Sequence, residues 1–219
     1  MPTGAPQTFR VPLLLLAAAD LAILGVLLWP WPEAMNLPVG GTSAFDPAIS
    51  LAAYLGLVFW ISSGIKDQTR KALSTGAVIG LAAGAVLVAR VLLGMRAGPQ
   101  PGYLQPALLG VVVILWGIAG LRGSQASGNS GMGALSGLWS AMATALMGCA
   151  AIFGELYLSG PTQATPDPWK QYQGLAIGNS VTQGLVHSLN MATAFLLLGP
   201  LIGAAAGLIF AFFGQSQKS

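Results

Sequence analysis

Apolar residues run through this chain in long blocks, separated by short stretches rich in Gly, Pro or polar side chains. A helix needs about 20 apolar residues to cross roughly 30 Å of hydrocarbon. The blocks at 11–29, 47–65, 74–95, 105–121, 134–158 and 188–213 approach or exceed that length. The pattern predicts an all-α, polytopic bundle of six transmembrane helices forming one integral membrane domain over residues 1–219. Pro47 and Pro106 stand at first helical positions, and Gly64 and Gly123 stand where helices can stop. Residues 122–133, RGSQASGNSGMG, have the composition of a flexible linker.

The last block is the least simple. From Gln173 to Gly214 no charged residue occurs, and as one straight helix this stretch would run about 63 Å, twice the bilayer. The expectation is a partly amphipathic helical stretch at about 173–187, interfacial or re-entrant, leading into the span at 188–213. A turn at the wholly apolar LLLGPLIG (196–203) ranks last, and Pro200 is more simply a kink within a packed bundle.

Tryptophan and tyrosine prefer the membrane interface. All six tryptophans, Trp29, Trp31, Trp60, Trp116, Trp139 and Trp169, fall near predicted span ends, as do Tyr103, Tyr157 and Tyr172. Residues 11–29 follow a lone Arg10 and could pass for a signal peptide. The run is long, carries Asp20 and lacks a small-residue cleavage site, so it reads as the first span.

Composition turns the pattern into a statement about solvent. Charged residues make up 7% of the chain and hydrophobic ones 54%, with mean hydropathy +0.72. A water-exposed surface cannot be built from so few charges, and the lipid bilayer is the expected partner. The net charge of +3 comes from residues scattered singly, without the basic run that a nucleic acid requires. With the N-terminus inside, the inner side collects Arg10, Lys66, Arg70, Lys71, Arg122 and Lys218, leaving Arg96 and Lys170 outside. Both termini are therefore expected in the cytoplasm, in the cell (inner) membrane. No internal repeat supports inverted-repeat logic.

Small residues recur at four-residue spacing: Gly76, Gly80 and Gly84 in span 3, Gly133, Gly137, Ala141, Ala145 and Cys149 in span 5, and Gly199, Gly203, Gly207 and Ala211 in span 6. Such stripes let helices approach closely. They point to spans 3, 5 and 6 as the tight centre, with a homo-oligomer or a partner membrane subunit as the other use of the same faces.

Three ionisable residues fall within the predicted spans, Asp20, Arg90 and Glu155. A charge at the bilayer centre costs on the order of 2.5–3.5 kcal/mol, so such groups face the bundle interior, pair or snorkel. Arg90 and Glu155 lie at comparable depth near the outer ends of spans 3 and 5, which predicts an ion pair, separate snorkelling being the alternative. Asp20 lies mid-span and must be protonated, hydrogen-bonded or in contact with water. Asn179, Gln183, His187 and Asn190 form one helical arc of roughly 80°, opposed by Val181, Leu185 and Leu189. That arc would line a cavity or rest in headgroups.

The inventory for membrane enzymes is thin. A single cysteine, Cys149, and a single histidine, His187, leave no metal or haem site, and no cofactor is expected. Ser136 at the inner end of span 5 and His187 on the outer side cannot form a nucleophile–base pair. The sequence points first to a small permease or transporter component, with Asp20, Asn179, Gln183, His187 and Asn190 around a polar cavity opening outward. The alternative is a non-catalytic subunit of a larger membrane complex. An enzyme acting on a lipid-like substrate through Glu155 or His187 is the weaker third.

Overall fold

A computed structural model describes residues 10–30, 45–63, 67–97, 103–159 and 180–216. These residues form six helices: α1 (Arg10–Leu28), α2 (Phe45–Ser63), α3 (Asp67–Ala97), α4 (Leu104–Ser127), α5 (Ser130–Ser159) and α6 (Ser180–Ser216), and no strand occurs among them. Five contain stretches long and apolar enough to cross a membrane: Arg10–Leu28, Thr69–Leu93, Pro106–Ser127, Ser130–Leu158 and His187–Gly214. The protein is a multi-pass α-helical membrane bundle. Helix α2, 19 residues long, covers the expected span at 47–65 as far as Ser63, and residues 64 and 65 lie outside the described residues.

Helix α5 is the hub. It packs most extensively against α6 and α3 and also touches α4 and α1, while α2 bridges α1 and α6. Every residue from Trp139 to Leu146 is buried. Close approach is allowed by missing side chains: a Cβ on Gly80 would strike the Ser140 carbonyl, and Gly137 and Gly203 meet backbone to backbone. In lipid such contact supplies the packing energy that water-driven burial supplies elsewhere. Gly199 is looser, with only ordinary van der Waals neighbours in Ala145 and Trp116.

The segment 122–133 is not a linker. Helix α4 continues through it to Ser127, and α5 begins at Ser130. Gly128, at φ 69°, closes α4 with its N–H donating to Ser124 O at 2.8 Å, a left-handed turn that glycine adopts without a steric penalty. The Asn129 side chain then caps α5, its Oδ1 accepting from the Gly131 N–H at 2.8 Å. Gly123 does not stop a helix either. It lies within α4, where a Cβ would collide with Ser136.

The longer α4 also moves Trp116 to mid-helix. Trp116 is 3% exposed and Trp139 0%, whereas Trp29 at 87% and Trp60 at 73% stand at exposed helix ends. Two of the expected interfacial tryptophans are thus core residues. Trp116 can be buried because its Nε1 donates to Thr144 Oγ1 at 3.0 Å. That hydroxyl lies 3.0 Å from Gly80 O and 2.8 Å from Ser140 O, tying α3, α4 and α5 together.

Helix α6 is 37 residues long with Pro200 inside it. The stretch expected at 173–187 is, from Ser180 on, continuous with the last span rather than a separate element. Its earlier part, including Asn179, lies outside the described residues.

Candidate functional site

Leu13, Ala17, Asp20, Leu24 and Leu27 are the buried face of α1, and their alternating spacing of three and four sets them on one stripe. This places Asp20 in the core. Its exposure is 0%, and neither carboxylate oxygen has a hydrogen-bond partner among the described residues. The apolar cluster along that face joins α1 to Leu51 and Tyr54 of α2, Met142, Leu146 and Cys149 of α5, and Leu189, Ala192 and Leu196 of α6.

Polar atoms do reach this core, supplied by two side chains and the α6 backbone. The Cys149 thiol lies within electrostatic range of both Asp20 and Tyr54, and its Sγ is 3.9 Å from Ala192 O. Tyr54 donates its hydroxyl proton to Leu196 O at 2.6 Å. Proline lacks an N–H, so a helix loses the bond from that position to the carbonyl four residues earlier. For Pro200 that carbonyl is Leu196 O. Tyr54 was not a candidate from sequence, yet two signals were there: a tyrosine in the middle of an apolar block, away from either interface, and a proline that must orphan one carbonyl.

Helix register places the other candidates. Helices α3 and α5 run parallel, with Gly76 against Ser136, Gly80 against Ser140, Gly84 against Met147 and Leu87 against Gly148. One further turn carries Arg90 to the level of residues 150–153 on α5, within about a turn of Glu155, and both side chains are half-buried. Helices α5 and α6 run antiparallel, with Gly137 against Gly203, Ala145 near Gly199 and Cys149 near Ala192. Continuing that register sets Glu155 level with His187. One end of the bundle therefore collects Arg90, Glu155, His187 and Asn190, and Asp20 lies deeper, level with Cys149.

His187 is exposed and Asn190 half-buried, while Leu185, Leu189, Ala192 and Leu196 on the other side of α6 face the core. The described part of the polar arc thus turns away from the core that holds Asp20. The side chain of Gln183 lies outside the described residues.

Two apolar pockets open beside α6. A cavity of about 110 Å³ among α3, α4, α5 and α6 is bordered by Arg90, Leu109, Gly148, Ile152, Met191 and Phe195. A groove of about 240 Å³ continues from it between α4 and α6, past Trp116, Leu198 and Gly199 to Ile202. Neither is lined by Asp20 or His187. Ser136 is engaged elsewhere, donating to Ala72 O at 3.0 Å. It lies level with the far end of α6, about 30 Å from His187 by helical rise.

Among the described residues no group of three or more His, Cys, Asp or Glu side chains is placed to hold a metal ion. Compared with protein-family models, with characterised proteins and with solved structures, the chain matches none.

Proposed function

We propose that the protein is a small permease or transporter component in which Asp20 takes up and releases a proton or a small cation. The observation that carries this reading is the Asp20 carboxyl itself, fully buried at mid-helix with no hydrogen-bond partner among the described residues. An apolar side chain would fill the same space with less cost in lipid, so a carboxyl kept there at a cost in stability points to use. Its surroundings suit that use. The helix that borders the same core, α6, carries Pro200, and proline within a spanning helix permits local backbone adjustment.

In this reading the closed packing around Asp20 is an occluded state, and access comes from the end of the bundle where Glu155, His187 and Asn190 lie level. That end faces outward if both termini are cytoplasmic. An ion pair between Glu155 and Arg90 belongs to the proposal, holding two charges at headgroup depth. The test is cysteine accessibility in membranes. His187→Cys and Asn190→Cys in a Cys149→Ala background should react with a membrane-impermeant maleimide from one side only, and Asp20→Cys should react only when the bundle opens. Protection of both outer positions would remove the access route.

A second reading, a non-catalytic subunit of a larger membrane complex, is favoured by the arc of His187 and Asn190 facing away from the core. Photocrosslinking from position 187 in native membranes distinguishes the two. A discrete adduct with one other polypeptide supports the subunit.

A further inference from the structure

The two pockets beside α6 form one continuous feature, sharing Leu109, Met191 and Phe195. Its upper end is bordered by Arg90 and its walls are otherwise apolar. The lower end is closed where Gly120 of α4 meets Gly207 of α6 backbone to backbone. Helices α4 and α6 run parallel, and the groove follows α6 from Met191 to Ile202, about 16 Å by helical rise. That is about half of the roughly 30 Å hydrocarbon thickness, the depth of a single leaflet. Arg90 itself lies seven residues before the C-terminal end of α3 at Ala97, about 10 Å along the helix, a distance over which a long basic side chain snorkels toward headgroups.

We propose that this groove is a binding site for one anionic phospholipid of the leaflet adjoining the C-terminal end of α3. One acyl chain lies between α4 and α6, and the phosphate rests on the Arg90 guanidinium. Guanidinium offers five donors in a fixed fork, so a phosphate is accommodated alongside whatever other contact Arg90 makes. Charge and length select the occupant together. A zwitterionic lipid of equal chain length fills the groove without a net negative head, and a free phosphate has nothing to fill it. The site is separate from Asp20; it shares Arg90 with the ion pair proposed to Glu155, the phosphate taking guanidinium donors that a single carboxylate leaves.

The test is native mass spectrometry of the purified full chain in mild detergent, with phosphatidylglycerol and phosphatidylcholine carrying the same acyl chains. Wild type should retain phosphatidylglycerol about tenfold better, the worth of one charge-assisted hydrogen bond. Arg90→Gln should abolish that preference and leave phosphatidylcholine retention as it was, and Arg90→Lys should keep most of it. Leu198→Trp, which fills the groove from its lipid-facing wall, should reduce retention of both lipids. Equal retention of the two lipids by wild type would overturn the proposal, as would a preference that survives Arg90→Gln. Unchanged retention in Leu198→Trp would overturn the placement of the chain. Glycerol 3-phosphate in excess should fail to displace the lipid; if it succeeds, the site is a phosphate site and not a lipid site. Elution as a monodisperse species checks that each variant has folded.

Discussion

The hydroxyl of Tyr54 and the carbonyl of Leu196 are joined at 2.6 Å across α2 and α6, and Leu196 is the residue whose helical partner Pro200 removes. A side chain from one helix repairs a defect that proline makes in another. In hydrocarbon no water can do this, so the pairing satisfies the one carbonyl that Pro200 leaves without its helical partner.

Tyr54→Phe should therefore destabilise the bundle by about 0.6–2 kcal/mol, the range for an interhelical hydrogen bond in membranes. The mechanism has a sharper signature in a double-mutant cycle. In a Pro200→Ala background residue 200 regains an N–H that can reach Leu196 O, and Tyr54→Phe should then cost markedly less. Equal costs in both backgrounds, read from unfolding in mixed micelles, would show that the hydroxyl acts independently of the proline.

Glycine positions should divide into two classes. Gly137→Ala and Gly80→Ala push a methyl into neighbouring backbone and should each cost about 1–3 kcal/mol, the usual penalty of overpacking. Gly110→Ala and Gly56→Ala meet nothing within 4 Å and should be neutral, or stabilising by up to about 1 kcal/mol, because alanine is the better helix former. Thermal melts of the four variants in one detergent check the division.

Thr144 is the shared partner of three helices. Thr144→Val leaves the buried Trp116 N–H without its acceptor and should cost about 1–3 kcal/mol. Thr144→Ser keeps the hydroxyl and should cost much less. In a Trp116→Phe background the Thr144→Val penalty should shrink, which a melt of the double variant reads directly.

At the α4–α5 turn, Asn129→Ala should cost about 1 kcal/mol by removing the cap on Gly131, and Asn129→Asp should restore most of it. Gly128→Ala should be destabilising too, since φ 69° suits glycine and costs an alanine about 1–2 kcal/mol.

The membrane-spanning helices were legible because solvent leaves a long-range mark. Lipid demands uninterrupted apolar runs, and the last span, expected at 188–213, lies within the single long helix α6, Ser180–Ser216. The α4–α5 turn was not legible, because Gly, Ser and Asn are the residues of linkers and equally of tight caps. Only the three-dimensional closeness of Ser124 to Gly128 and of Asn129 to Gly131 tells them apart. Trp116 was read as interfacial for a similar reason: an indole N–H is satisfied by headgroups or, as here, by a buried hydroxyl, and sequence does not show which. The depth of Asp20 was legible from its place within an apolar run. The nearness of Cys149, and of Tyr54 to Cys149, was not, because these residues come from other helices.

The central claim is that the Asp20 carboxyl exchanges with the aqueous phase although it is buried. Infrared difference spectroscopy of the reconstituted protein, with Asp20→Asn as the reference, follows that one carboxyl through its protonated C=O stretch. The account predicts a band, absent from Asp20→Asn, that rises and falls reversibly with bulk pH or with an added monovalent cation. A band that stays constant across the whole range in which the protein remains folded would contradict it, and would make Asp20 a sealed structural group.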